Sequence, residues 1–491
     1  MQKTVKFLAK HKFLLIVILL TIPTFFRMFK PGIFSMQDYH AFRQYEFDKC
    51  IKAGQIPCRW APDAGLGYGV PLFNFYGQFA YAVGEIYMLF GGQVIDAIKF
   101  LFILSLLGSA VSMFFMAKQL WRDNLSALVS ATLYLYAPYR AVNVWVRGAL
   151  PEAFSFILFP LILLAVEKKS LSWFSLLLSL LIITHNLSLI MFLPILGLWI
   201  IYRKYWKAFG GGVVSLLLSA FYVLPVIFES KYVSLSNIVF GYFDYKAHFI
   251  SLYQIFISRY WGYGGSTWGT GDELSLSVGI LQWTVPLLAL IFILIKRKIR
   301  ESTTFLILVG TGLFYAFLTH SRSIFFWIHV PGMAYIQFPW RFLGMVTFSF
   351  TLASGYLIGM FKNRMKIMIA VLTVLTAVIL SVSFFREDKW LKINDNDLFT
   401  GDEWTNQKTA SIGDYWPNFG HAIPKVPSDG TYINYFPGWI GATPDENGLI
   451  PSEGVVFTDT PIRKVGNMVS LIALILVIAT ILKNKRKKVK F

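Results

Sequence analysis

Residues 94–138 read VIDAIKFLFILSLLGSAVSMFFMA (94–117), KQLWRDN (118–124) and LSALVSATLYLYAP (125–138). The first run exceeds the roughly 20 apolar residues a helix needs to cross hydrocarbon. It is continuous rather than alternating, which selects a helix over a barrel strand. A short polar turn carrying Lys118 and Arg122 then leads into a second apolar run. Two apolar runs joined by so short a turn belong inside a bilayer, where only helices or closed barrels satisfy the backbone.

The rest of the chain repeats this pattern. Of 491 residues, 56% are hydrophobic and 14% charged. Mean hydropathy is +0.58. Soluble chains carry about 25% charged residues, so the bilayer is the solvent for most of this one. Further runs lie near 13–29, 152–166, 171–184, 187–202, 208–228, 276–295, 303–319, 340–361, 367–385 and 465–482. The expected fold is all-α and polytopic, with about twelve transmembrane helices. No small-residue cleavage site follows the first run, so that run is expected to be a retained helix.

The net charge of +19 would suit nucleic acid, but its placement argues for orientation instead. With the N-terminus inside, the inner connections hold 24 Lys or Arg and three acids, a net +21 against −2 elsewhere. This is the positive-inside pattern. It predicts both termini in the cytoplasm and no nucleic-acid partner. The long connections, 30–93, 139–151, 229–275, 320–339 and 386–464, then face outward. Three parts are expected: a membrane domain over 1–385, a small β-rich outer domain over 386–464, and a last helix with a basic tail over 465–491. The short inner connections leave no room for a nucleotide-binding domain, and no GxxxxGK[ST] loop is present.

Several runs between 125 and 202 are shorter than a full crossing. Their ends are expected in protein or a water-filled cavity, where ionisable groups default to function. Arg140, Arg147, Glu152, His185 and Asn186 stand at those ends. The first outer loop adds Asp38, with His40 beside it, in SMQDYHAFRQYEFDKC, and Trp60, Asp63 and Tyr68 in RWAPDAGLGYGVPLFNFYG. Asp38 suits a general base, with Asp63 as its rival. Arg147 and Arg341 suit phosphate. Outer tryptophans such as Trp261, Trp268, Trp404, Trp416 and Trp439 suit sugar stacking or an interfacial belt. The segment 78–90 suits an amphipathic helix on the outer leaflet. Cys50 and Cys58 are the only cysteines and form a disulfide candidate. They do not make a zinc site with His40 alone.

The acid after the first helix, the long first outer loop and the outer C-terminal appendage together resemble the GT-C superfamily of membrane glycosyltransferases. The ordered motifs RWAPDAGLGYGVPLFNFYG, VRGALPEAF, THN, WGYGGSTWG, FPWRFLG, FPGW and DTPIRKVGN resemble the 6-pyruvoyl-tetrahydropterin-synthase-related membrane proteins, neighbours of the YfhO-like proteins. The resemblance implies a GT-C-like fold in the plasma (cytoplasmic) membrane with its active site on the outer face. It implies inverting transfer of a sugar from a polyprenyl-phosphate donor to an extracytoplasmic acceptor, with Asp38 as base. His40, Trp60, Asp63, Tyr68, Arg147, Glu152, His185, Asn186 and Arg341 form the expected substrate-binding set. A divalent ion (Mg or Mn) shared by Asp38 and Asp63 is the one cofactor considered; no dedicated metal cage is readable. The stretch IGATPDENGLIPSEG (440–454) is short for the family, so an abbreviated outer domain is expected. A transporter or flippase would predict related halves, and none are found between 1–228 and 276–482. An envelope-assembly protein without catalysis is the third reading.

Overall fold

The computed structural model describes residues 2–234, 239–267, 273–409, 415–420 and 423–489, and side chains from 11 to 483 within them. Trp268 falls outside these residues. A helix stands at each of the twelve expected positions, but their lengths differ. Seven are long and apolar enough to cross: His11–Phe29, Val94–Trp121, Leu150–Glu167, Arg300–Thr319, Pro339–Gly359, Asn363–Phe384 and Pro461–Lys483. An eighth is broken into Lys207–Leu218 and Ala220–Tyr232, which meet at 75°. Asn124–Leu135, Leu171–Ile182, Asn186–Tyr202 and Ile280–Ile295 are shorter. At about 1.5 Å per residue, a 12-residue helix covers only about 18 Å of a roughly 30 Å core. Of the roughly twelve transmembrane helices expected, seven, or eight with the broken pair, are long and apolar enough to cross, and the other four are shorter apolar helices.

Pro339–Gly359 is the central helix, with Asn124–Leu135, Thr303–Thr319 and Ile280–Ile295 packed against it, and Val94–Trp121 packs on both Asn124–Leu135 and Leu150–Glu167. The Asn363–Ser381 and Pro461–Val489 helices lie outermost and expose Leu372, Ile379, Leu471 and Leu476, as a lipid-facing surface does. The break at Ser219 frees backbone groups that lipid cannot satisfy. Ser470 on the last helix repairs it: its hydroxyl donates to the Leu217 carbonyl at 3.1 Å and accepts from the Phe221 N–H at 2.9 Å.

The first outer loop folds into two helices, His40–Lys52 and Phe79–Leu89, with Cys50 and Cys58 joined in a disulfide. Its strand Ile33–Phe34 pairs antiparallel with Trp390–Leu391. The later outer segment is not β-rich, as expected from its turns, but mixed. It holds the short helices Asp395–Leu398 and Gly401–Lys408, and two ladders, Tyr432–Asn434 with Leu449–Pro451 and Trp439–Ile440 with Val456–Phe457. Strands this short bury no face of their own. Their aromatic residues pack on the first loop instead: Trp439 and Phe457 sit against Trp60, with ring centroids 5.4 Å away. Gly69, at φ +76°, lets the loop lie on the Trp60 ring where a Cβ would collide. Asn434 Nδ2 donates to the Gly69 carbonyl at 2.8 Å.

Where this outer layer meets the membrane helices, Glu229 and Arg463 form a buried ion pair at 2.9 Å. Glu229 also accepts from Asn74 (2.7 Å) and Thr460 (2.6 Å). Arg463 donates to the Pro437 carbonyl at 2.7 Å and lies over the Phe436 and Phe457 rings. The motifs FPGW and DTPIR thus serve one joint.

Candidate active site

Three backbone contacts bring the start of the first outer loop to the turn before the Leu150–Glu167 helix. The Gln37 N–H donates to the Val146 carbonyl at 3.2 Å, and the Leu150 N–H donates to His40 Nε2 at 3.2 Å. Gly148, at φ +63°, packs so closely on Met36 that a Cβ would overlap it. The residues just before, Val142–Val146, wind as a π-helical turn. Such wider turns re-aim side chains and are frequent at functional sites. Here the turn brings both Asn143 and Arg147 to Glu152.

Asp38 sits at the mouth, partly exposed. Its Oδ1 accepts from Arg43 at 2.5 Å and from the Tyr39 N–H at 2.9 Å. Burial pushes Asp38 up, but the Arg43 guanidinium and His40 outweigh it and hold the carboxyl well below the usual carboxylate range. His40 is buried, and its Nδ1 lies 2.7 Å from the Tyr81 hydroxyl. Burial lowers its pKa to about 4, so the imidazole is neutral at ordinary pH. Its Nε2 lies 3.3 Å from Asp38 Oδ2 as well as beside the Leu150 N–H.

Behind Asp38 stands a polar cluster where the ends of several helices meet. Glu152 Oε1 accepts from the Tyr139 hydroxyl at 2.7 Å and Asn143 Nδ2 at 3.1 Å, and Oε2 accepts from Arg147 at 2.8 Å. Arg147 also donates to Asn143 Oδ1 at 2.5 Å and lies 4.6 Å from the centre of the Trp340 ring. Arg341 joins from FPWRFLG, donating to the Ile336 carbonyl and to Gln337 Oε1, both at 2.8 Å. Arg147 lies within electrostatic reach of Asp38, and Arg341 within reach of Arg147 and Glu152. His185 caps the Asn186–Tyr202 helix through Ser188 and feels Glu152, Arg341 and Arg147. Among the described residues Arg341 has no carboxylate within ion-pair distance, and its Nε has no acceptor. Three arginines thus face two carboxylates, Asp38 and Glu152. The excess positive charge rests on Arg341.

The structure gathers Asp38, His40, Arg147, Glu152, His185 and Arg341 but separates the other expected site residues. Asp63 pairs with Lys49, and its N–H donates to Glu46 at 2.9 Å. Asp38 and Asp63 are each held by a different cation, so the expected shared Mg or Mn site does not fit them. Among the described residues no group of three or more His, Cys, Asp or Glu could hold a metal ion. Trp60 is buried between the outer layers, and Tyr68 packs edge-on to Trp416. Asn186 bonds the Tyr222 hydroxyl, which donates to the Phe75 carbonyl at 2.6 Å. Arg140 points into the helix bundle, 2.9 Å from Ser109 Oγ and stacked on Phe156. The outer tryptophans serve packing too: Trp261 stacks on Phe384, and Trp404 packs on Phe42 and Tyr45.

Sequence reasoning missed Arg43, Tyr139, Asn143 and the Trp340 shelf. Arg43 lies five residues beyond Asp38 in the segment already singled out, and Asn143 stands one turn before Arg147 and nine residues before Glu152. Those spacings were the available signal.

No protein-family model matches the chain, and no curated protein matches it, so the family suggested by motif order stands as a resemblance. Two structures of the arabinofuranosyltransferase AftD from Mycobacteria, one of them a mutant, match 77% of this chain at TM-score 0.45. Identity is 12% for the mutant and 13% for the other, and the matched region is only 27% and 26% of those longer chains.

Proposed function

We propose that this protein is a membrane glycosyltransferase that moves a sugar from a polyprenyl-phosphate donor to an extracytoplasmic hydroxyl acceptor, on the outer face of the plasma membrane. One observation carries the reading: Arg341, part-buried and with no carboxylate within ion-pair distance among the described residues, shares a cluster with Arg147, which in turn feels the Asp38 carboxylate. A part-buried guanidinium with no carboxylate of its own, beside a second guanidinium, offers charge to an anion. Guanidinium geometry suits phosphate.

In the proposed step the acceptor oxygen bonds to the anomeric carbon as the carbon–phosphate oxygen bond breaks. Asp38 takes the hydroxyl proton, and Arg341 and Arg147 receive the departing phosphate. One displacement inverts the anomeric centre. Arg43 makes Asp38 a weak base but keeps it ionised. A weak base suffices when the transition state resembles an oxocarbenium ion, because the attacking hydroxyl grows acidic only as its new bond forms. Neutral His40, fixed by Leu150 and Tyr81, adds no charge that would compete for the phosphate.

The test is transfer of labelled sugar from a polyprenyl-phosphate donor in proteoliposomes, wild type against Asp38→Asn. The expected loss is about 10²- to 10⁴-fold, the range of a general base. Equal transfer by both proteins would remove Asp38 from the role. Donor flux across the bilayer without transfer would establish a transporter instead.

A further inference from the structure

The two helices of the first outer loop enclose a second polar cluster, apart from the Arg147–Glu152 group. Gln44 and Asp48 lie one turn apart on His40–Lys52, and Tyr81 and Glu85 lie one turn apart on Phe79–Leu89. The two faces meet: Gln44 Nε2 donates to the Tyr81 carbonyl at 3.2 Å. Its Oε1 is pressed against Gly84, where a Cβ would collide with it. Gln44, Glu85 and Asp48 are 0%, 4% and 5% exposed. Gln44 Oε1 and both Glu85 oxygens are buried with no donor other than the carboxyl–carboxyl contact between Glu85 and Asp48. Asp48 has one donor, Lys52 at 2.8 Å, whose side chain is largely in solvent.

Three orphaned buried oxygens on two facing helices are costly unless something positive sits among them. The Asp48 and Glu85 carboxyls face each other here with one cation, Lys52, beside them. Carboxylate and amide oxygens are the donors hard divalent cations prefer. An irregular set of two carboxylates and one amide, completed by water, suits calcium better than octahedral magnesium.

We propose that Gln44, Asp48 and Glu85 form a calcium-class cation site that clamps the Phe79–Leu89 helix to the helix carrying His40 and Arg43. With only two carboxylates, its dissociation constant falls on the order of 10⁻⁴–10⁻³ M, the range of extracellular modules. The clamp holds one end of the Asp38 pocket while leaving the reacting groups untouched.

The experiment is a calcium titration of the full chain in detergent at neutral pH, read by melting temperature and by calorimetry. A saturable rise with a midpoint in that range is expected, with magnesium weaker. Glu85→Gln, an isosteric change that needs neither proton nor metal, removes the response while the protein stays folded. Should that variant prove unfolded, Asp48→Asn gives the same calorimetric readout. Glu453→Gln, on the exposed outer segment, keeps the full response. No calcium response in the wild type, or an undiminished one in folded Glu85→Gln, overturns the site. So does a melting temperature that depends on pH through Glu85 but not on calcium, which identifies a shared proton instead.

Discussion

Two arginine–glutamate pairs, Glu229–Arg463 and Glu152–Arg147, sit at helix ends, and they are built for opposite purposes. In Glu229–Arg463 every charge is answered: Asn74 and Thr460 share the carboxylate, the Pro437 carbonyl and two aromatic faces take the guanidinium. In Glu152–Arg147 the carboxylate is equally well bonded, but a further arginine, Arg341, stands beside the pair with no carboxylate of its own. The first group closes a joint between the outer layer and the last helix. The second keeps a surplus cation in the cluster that Asp38 adjoins. That surplus beside Asp38 is the feature on which the proposed phosphate binding rests.

The sharpest way to break this contrast is to remove the surplus. Arg341→Met is expected to cut transfer about 10²- to 10³-fold, the loss typical of one electrostatic donor, with the melting temperature unchanged or raised. A collapse of stability in this variant would make Arg341 structural and erase the contrast. The mirror experiment is Arg463→Met, which leaves Glu229 buried and alone. It should cost about 3–5 kcal/mol in unfolding titrations, whereas any transfer that remains per folded molecule should be normal. A double-mutant cycle of Arg147→Met and Glu152→Gln sharpens the contrast further. Their coupling in stability should fall within about 0.5–3 kcal/mol, as for residues in one network. Additive effects would mean the two side chains act separately.

The smallest expected effect concerns Arg43. Asp38 has its pKa depressed by Arg43 and His40, so it stays ionised above the unfolded value near 3.9 and becomes protonated only well below it. Any stability from this pairing is present above the unfolded pKa and fades as pH falls through the folded one. Wild-type transfer should therefore show no Asp38 limb between pH 5 and 8. Arg43→Met leaves burial to push the carboxyl up, so its acid limb moves to higher pH and transfer falls modestly between pH 7 and 5. A pH profile identical to the wild type would show that Arg43 does not set the ionisation of Asp38.

The choice between Asp38 and Asp63 shows how far the residues themselves could be read. Both are acids of the same loop, near turns and aromatic rings, and sequence alone left them as rivals. They lie at opposite ends of the His40–Lys52 helix. Asp38 meets Arg43 and the field of Arg147, while Asp63 meets Lys49 and Glu46, which burial and Asp63 itself push well up. Similarly, the aromatic residues of the outer segment read as strands and sugar platforms, but most became packing between two outer layers, because ladders of two or three residues have no face of their own to bury.

The sequence by itself determined the solvent of this chain, the asymmetry of its basic residues, the positions of its helices and the acid that follows the first of them. Hydropathy and charge are sums along the chain, so they need no neighbours to be read. Tertiary structure alone decided which helices are full crossings, which arginine lacks a partner and which carboxylate shares its pocket. Those facts depend on where the ends of separate helices meet: a π turn, a glycine against Met36 and a serine bridging a broken helix set distances of a few ångströms between residues hundreds of positions apart. Electrostatic pairing falls off over that same range, and no one-dimensional pattern records it.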